Sequence, residues 1–202
     1  MRFTPLTALK RTVAVLSNLP CTFCLIGGHA ASLYRSQERF TKDVDFAVVA
    51  TEVKRSRSVA ENAIKALGMK PVVGFIPHGR EKSGRSPVRM ITSAPPAGDL
   101  SGIVDILLPE VSWVTEAVER AQHNRMDLGF AMVPVITPED LIIAKCQSVS
   151  NAPDRFQDLD DLKQLFSDVE DLDIDYLRRR LHELALVIPA PIEAYAPGSL
   201  RS

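Results

Sequence analysis

The sequence predicts a mixed α/β (α+β) fold, in which a mixed β-sheet is flanked by helices and followed by a helical C-terminal portion. Three observations predict it. Short β-rich runs alternate with helix-period segments to about residue 135. One of those runs, Val44 to Val49, is nearly continuous in apolar residues, as expected of a strand covered on both faces. After Pro138 the segments are helical in spacing. The expected organisation is an α/β core over residues 1–135, a helical portion over 136–188 and an irregular tail over 189–202, where Pro189, Pro191 and Pro197 oppose regular structure.

Each element has its own local warrant. Leu6, Leu9, Val13 and Leu16 recur at three- and four-residue steps, so Pro5 to Asn18 reads as a helix, with Thr4 as N-cap, Pro5 in the first turn and Pro20 as the stop. Thr22 to Ile26 reads as the first strand and Gly28 to Arg35 as the helix after it. Ser56 to Leu67 carries Val59, Ala63, Ile64 and Leu67 on one side, with Gly68 as its C-terminal stop. Val72 to Ile76, Val88 to Thr92 and Ile103 to Leu108 read as further strands. A polar, basic connection from His78 to Pro87 separates the first two, and Ser93 to Asp99 separates the last two. Val111 to Gln122 reads as a helix and Asp127 to Val135 as an edge strand. Glu139 to Val149, Asp154 to Phe166 and Ile174 to Leu186 read as the C-terminal helices.

Composition narrows the class. The 202 residues are 46% hydrophobic and 24% charged, ordinary for a soluble globular protein. A formal net charge of -1 lacks the basic excess usual in dedicated nucleic-acid binders. Lys10 and Arg11 interrupt the N-terminal apolar stretch, against a signal peptide, and no apolar run reaches the roughly 18 residues of a membrane span. Three cysteines suit a reducing cytoplasm. Cys21 and Cys24 form a lone CxxC with no second pair or histidines at ligand spacing, so they read as thiols at a strand edge.

The chemistry concentrates between Leu25 and Val49. Strand side chains alternate faces, so Asp43 and Asp45 point one way and Val44 the other. Neighbouring carboxylates resist joint ionisation unless a cation lies between them, and Mg²⁺, a hard ion with oxygen ligands, suits the pair. Gly27-Gly28 permits close approach to the backbone and opens a helix whose N–H groups form an anion site. Two metal ions about 3.5–4 Å apart need a further acidic ligand. Asp105, alone in the apolar run Ile103 to Leu108, is the candidate, because such an Asp is costly unless paired or coordinated. Asp99, after a proline pair, reads as a turn residue. The plainer reading of Asp105 is a hydrogen-bonded strand end.

Together, Gly27-Gly28, the helix after them, the run Arg39-x-Thr41-x-Asp43-x-Asp45 and the later Asp105 resemble the nucleotidyltransferase fold of the DNA polymerase beta superfamily. The closest form is that of small prokaryotic proteins related to the AbiEii toxins and the minimal nucleotidyltransferases of toxin–antitoxin systems. Thr137 to Lys145 and Arg155 to Leu162 resemble the helical segment in which such proteins carry a lysine and an arginine–aspartate pair. The resemblance spans about residues 20 to 165. One departure is the turn, usually Gly-Ser in the superfamily. Here it is Gly27-Gly28-His29-Ala30, with Ser32 one helical turn beyond Gly28.

The resemblance implies transfer of a nucleoside monophosphate from a nucleoside triphosphate to an acceptor hydroxyl, with two Mg²⁺ ions. Asp43, Asp45 and Asp105 would be the catalytic metal ligands. Gly27, Gly28, Ser32, Arg39 and Lys145 would bind the nucleotide. The implied acceptor is RNA (a tRNA-like 3′ end) or protein, and the implied partners include a cognate antitoxin or toxin, in the cytoplasm and away from membranes. Structural alternatives stay open: Lys145 as a snorkelling surface residue, Arg39 paired with Glu38, Asp158 as a helical partner of Arg155, and His29 as a capping or packing residue. Basic groups at Lys54, Arg55 and Arg57, and at Arg80, Lys82, Arg85 and Arg89, would attract an RNA end or be solvated surface. A catalytically inactive binding or antitoxin module with the same fold is the rival reading.

Overall fold

The computed structural model describes residues 4–37, 39–74, 89–94 and 102–201. Thr4 caps the first helix, its hydroxyl accepting from Thr7 N–H, and Pro5 opens α1 (Pro5–Leu16). The chain continues through β1 (Cys21–Ile26), α2 (Gly27–Tyr34), β2 (Val44–Ala50), α3 (Ser56–Ala66), β3 (Lys70–Val73), β4 (Met90–Ala94) and β5 (Val104–Leu107). Then come α4 (Val114–Ala121), a short hairpin of β6 (Arg125–Asp127) and β7 (Met132–Pro134), and the helices α5 (Pro138–Asn151), α6 (Phe156–Asp168) and α7 (Ile174–Glu183).

The five-stranded sheet has the order β1-β2-β5-β4-β3. β2 and β5 are parallel and every other pairing is antiparallel, so the sheet is mixed, as expected. In β2 and β5, Val44, Phe46, Val104 and Ile106 are buried, whereas Asp45 and Asp105 alternate to the other side. Helices α1 and α3 pack together, α3 lies against β2, β3 and β4, and α4 against β1 and β2. Phe46, Leu25, Ile64, Ile91 and Ile106 are fully buried among them.

Two expectations change in form. The stretch expected as one edge strand, Asp127 to Val135, contains the end of β6, the turn of a hairpin at Gly129, whose φ is +77°, and the returning strand β7. Apolar alternation continues through both arms, and only the left-handed glycine marks the reversal. The tail is not wholly irregular: 3-10 turns at Ala190–Ile192 and Gly198–Leu200 lie on either side of buried Ala196, with Ile192 also buried. The strand expected at Val72 begins at Lys70. The His78 to Pro87 connection, Asp99, Lys82, Arg80 and Arg85 lie outside the described residues, as do Glu38 and the end of the Val72 to Ile76 run. Among the described residues no helix is long and apolar enough to cross a membrane.

The chain returns to the sheet just before its helical portion. Val135 bridges to Leu25 in parallel, and Ile136 N–H donates to the Leu25 carbonyl at 3.0 Å. Thr137 then caps α5, so that helix starts beside the end of β1. A buried polar knot secures the start. Arg120 of α4 donates to Asp140 at 2.9 Å and to Glu139 at 3.2 Å, while Tyr176 of α7 donates to Asp140 Oδ1 at 2.5 Å. The Arg120 guanidinium lies 3.8 Å from the centre of the Tyr176 ring. Replacing Tyr176 by Phe keeps the ring and orphans one Asp140 oxygen. Urea unfolding of Tyr176→Phe should show a loss of about 1–3 kcal/mol. Unchanged stability would mean that the knot does not hold the α5 start.

Candidate functional site

Strand register builds the site. Ile26, the last residue of β1, pairs with Asp45, so the bend at Gly27 falls beside that carboxylate. On its other side Asp45 pairs with Asp105 of β5, and Asp105 pairs with Thr92 of β4. A row of bend, carboxylate, carboxylate and hydroxyl therefore runs across the sheet. Asp43, two residues before Asp45, reaches the same side. Asp43, Asp45, Asp105, Gly27, Gly28, Arg39 and Lys145 all line one cleft of about 380 Å³. Ser32 is not among its lining residues; its hydroxyl donates back to the Gly28 carbonyl at 2.9 Å.

The carboxylates are held against their ordinary titration. Burial, then Asp105, raises Asp45 to about 7, although Lys145 and the Gly28 N–H oppose the shift. Burial raises Asp105 too, against a hydrogen bond from Thr92, and Asp43 is raised by burial against the pull of Lys42. Asp105 Oδ1 is buried with no hydrogen-bond partner. A buried, unpartnered carboxylate oxygen beside a second reluctant carboxylate suits a hard cation. Among the described residues no three acidic, histidine or cysteine side chains are already gathered into an ion cage. Water ligands would have to complete the shell, as Mg²⁺ habitually permits.

The glycines have a more specific purpose than open access. Gly27 has φ +64°, and a Cβ there would lie 2.0 Å from Asp45 Oδ2. A Cβ on Gly28 would lie 1.8 Å from Arg39 Nη1 and 3.0 Å from Thr41 Oγ1. Asp45 and Arg39 thus close directly onto the bend, and the Gly28 N–H donates to Asp45. The start of α2 serves a carboxylate of the chain itself.

The basic residues are joined to α6. Lys145 Nζ donates to Asp158 Oδ1 at 2.5 Å and lies 2.7 Å from Asp161 Oδ2. Arg39 Nε lies 2.8 Å from Asp161 Oδ1, a partner the local sequence does not indicate. Arg35 pairs with Asp160 and Asp161 at 2.7 and 2.8 Å, and Arg155 with Asp158 at 2.8 Å. Lys145 is buried, so it is no snorkelling residue, and its charge, after burial is overcome, keeps Asp158 below the usual carboxylate range. His29 is lowered by burial and by Arg39, and its Nε2 is buried without a hydrogen-bond partner.

Sequence reasoning missed Arg35, Asp161 and the far wall. That wall includes Met90, Leu107, Val111, Trp113 and Leu141, with the Trp113 indole N–H donating to Gln147 at 2.9 Å. Asp158 and Asp161 did carry a signal. Their three-residue spacing, continued by Leu162 and Leu165, puts both acids on the buried face of α6. The thiols stay apart from this chemistry: burial raises Cys21 to about 11 and Cys146 to about 12.

These contacts have measurable consequences. Because Asp45 titrates higher folded than the ordinary 3.8, its contribution to stability is present at low pH and lost as pH rises from about 4 through about 7. In chelator, melting temperature should fall across that window, and Asp45→Asn should flatten the fall; parallel profiles would refute the assignment. Lys145→Met removes the buried cation shared by Asp158 and Asp161, leaving the first to Arg155 and the second to Arg35 and Arg39. Chemical denaturation should show a loss on the order of 3–5 kcal/mol, and a loss below about 1 would place the lysine at the surface in solution.

Comparison with known proteins follows the same geometry. The chain is similar to the solution structure of the antibiotic-resistance factor ANT(2'')-Ia, at 13% identity and TM-score 0.55, covering 89% of this chain and 91% of that one. It is also similar to the lincosamide antibiotic adenylyltransferase LnuA in its lincomycin-bound structure, at 16% identity and TM-score 0.52, covering 83% and 100%. An antigenic nucleotidyltransferase-like protein from Paracoccidioides brasiliensis matches at 16% identity and TM-score 0.53, covering 90% and 89%. At such identities the likeness is one of fold. No curated protein matches by sequence. The family model described as "Nucleotidyl transferase AbiEii toxin, Type IV TA system" matches residues 7–190, and with nearly the whole chain spanned, this protein belongs to the AbiEii nucleotidyltransferase family.

Proposed function

We propose that this protein is a Mg²⁺-dependent nucleotidyltransferase that moves a nucleoside monophosphate from a nucleoside triphosphate to a hydroxyl of RNA or protein, within a cytoplasmic toxin–antitoxin pair. The observation that carries the reading is the side-by-side register of Asp45 and Asp105, with Asp43 on the same cleft. Family membership supports it, as does the likeness in fold to a lincosamide adenylyltransferase.

The donor set fits the ion. Asp43, Asp45 and Asp105 would hold Mg²⁺, which when bound lowers the pKa of an attacking hydroxyl and neutralises charge on the phosphoryl group. The chain's own residues do the rest. Gly28 N–H and Lys145 steady the ionised form of Asp45. Thr92 orients Asp105 by donating to its carboxylate. Arg39, fixed by Asp161, presents its remaining guanidinium N–H groups beside Gly28, where they would meet phosphate oxygens. The wall of Met90, Leu107, Val111, Trp113 and Leu141 is apolar and would exclude water from a nucleobase.

One observation favours the rival, a non-catalytic binding or antitoxin module of the same fold. Lys145 is paired with two carboxylates and Arg39 with one, so neither cation is unoccupied. Incubation with Mg²⁺, labelled nucleoside triphosphates and total RNA or cell protein separates the two. Label transfer is expected, and a variant combining Asp43→Ala with Asp45→Ala should reduce it at least a hundredfold while still melting cooperatively. No transfer from any nucleotide, with no Mg²⁺-dependent nucleotide binding, would decide for the module.

A further inference from the structure

The apolar end of the cleft carries one polar pair, and its sense is fixed. The Trp113 indole N–H donates to Gln147 Oε1 at 2.9 Å, and both residues line the cleft. An indole nitrogen is a donor only, so the Gln147 amide must turn its oxygen toward Trp113 and its Nε2 away. Trp113 is buried at the head of α4, which holds the indole still, whereas Gln147 is half-buried. Among the described residues Gln147 Nε2 has no hydrogen-bond acceptor. Gln147 shares one stripe of α5 with Ala144, Ser148 and Asn151, at three- and four-residue steps, and that stripe faces the cleft. The two ends of the cleft differ in kind. Arg39 and the Gly27 bend lie on the β1 side of Asp45, and Asp105 lies on its other side. Leu107 follows on the same side of β5 as Asp105, about 7 Å further along, and pairs with Met90. Phosphates suit the cationic end, and a base suits the apolar one.

We propose that Gln147, locked by Trp113 as a hydrogen-bond donor, selects nucleotides whose base carries an exocyclic oxygen, a 6-oxo purine or a 4-oxo pyrimidine, over those with an amino group there. The Nε2 hydrogens meet an acceptor in the first case. In the second they face other donors, and the amide cannot flip to correct this without orphaning the buried indole N–H. Gln147 is thus the specificity-determining residue and Trp113 the residue that positions it. The inference rests on the transferase reading and names the class of nucleotide it leaves open.

The test is a ratio of affinities, measured by calorimetry with Mg²⁺ and no acceptor. Inosine and adenosine triphosphates differ at the 6-oxo or 6-amino edge, and uridine and cytidine triphosphates at the 4-oxo or 4-amino edge. In each pair the oxo nucleotide should bind roughly tenfold more tightly. Gln147→Glu keeps the shape and accepts the indole N–H with one oxygen, leaving the other to accept from an amino group, so the preference should reverse. Its added charge opposes every triphosphate alike and cancels in the ratio. Trp113→Phe releases the amide to flip, and the ratio should fall toward one. Parity or an amino preference in the unmodified chain, or a ratio unmoved by Gln147→Glu, overturns the proposal while nucleotide binding itself leaves the transferase reading standing. No Mg²⁺-dependent binding of any of the four overturns both.

Discussion

The register of β2 between β1 and β5 is the constraint on which the site depends. Asp45 faces the cleft because Val44 and Phe46 face the core, and a one-residue slip would exchange them. The same register puts the end of β1 beside Asp45, so the chain must turn there into α2 without a Cβ at Gly27. Parallel pairing of β2 with β5 brings Asp105, sixty residues away in sequence, level with Asp45. Apolar packing thus supplies the force that holds two carboxylates side by side, a juxtaposition electrostatics alone would oppose.

That opposition is visible in the titration of the group. Asp45 is pushed up to about 7 chiefly by burial and next by Asp105, and the influences that favour its charge are the Lys145 ammonium and one backbone N–H. An acidic site that is reluctant to ionise by itself gains most from a cation. The orphaned oxygen of Asp105 makes the same point in hydrogen-bond terms.

The second half of the site is made by charges that neutralise one another. Arg35 and Arg39 come from the C-cap of α2 and the loop after it, Lys145 from α5, and Asp158, Asp160 and Asp161 from α6. Buried ions are tolerable only when paired with good geometry, so the knot ties α2, α5 and α6 into one arrangement. The helices that follow the sheet are consequently part of the cleft, with Lys145, Gln147, Ser148 and Arg155 among its walls.

Much of this was legible locally. Helix periods, the Thr4 cap, the apolar strands and the alternation of Asp43, Val44 and Asp45 are properties of neighbouring residues, and they determined the mixed α/β class, the acidic face of β2 and the element order apart from the β6–β7 hairpin. The Gly27-Gly28 bend beside the acidic pair, joined to Asp105 and Lys145, was also enough to indicate the family. Other features depended on pairing across long sequence distances, which no local pattern encodes. Tertiary structure decided that Gly28 leaves room for Arg39, that Ser32 turns back to its own helix, and that Arg39 chooses Asp161. It also decided that Lys145 is buried between two aspartates, because a charge finds its partner only once strands and helices from distant parts of the chain have packed.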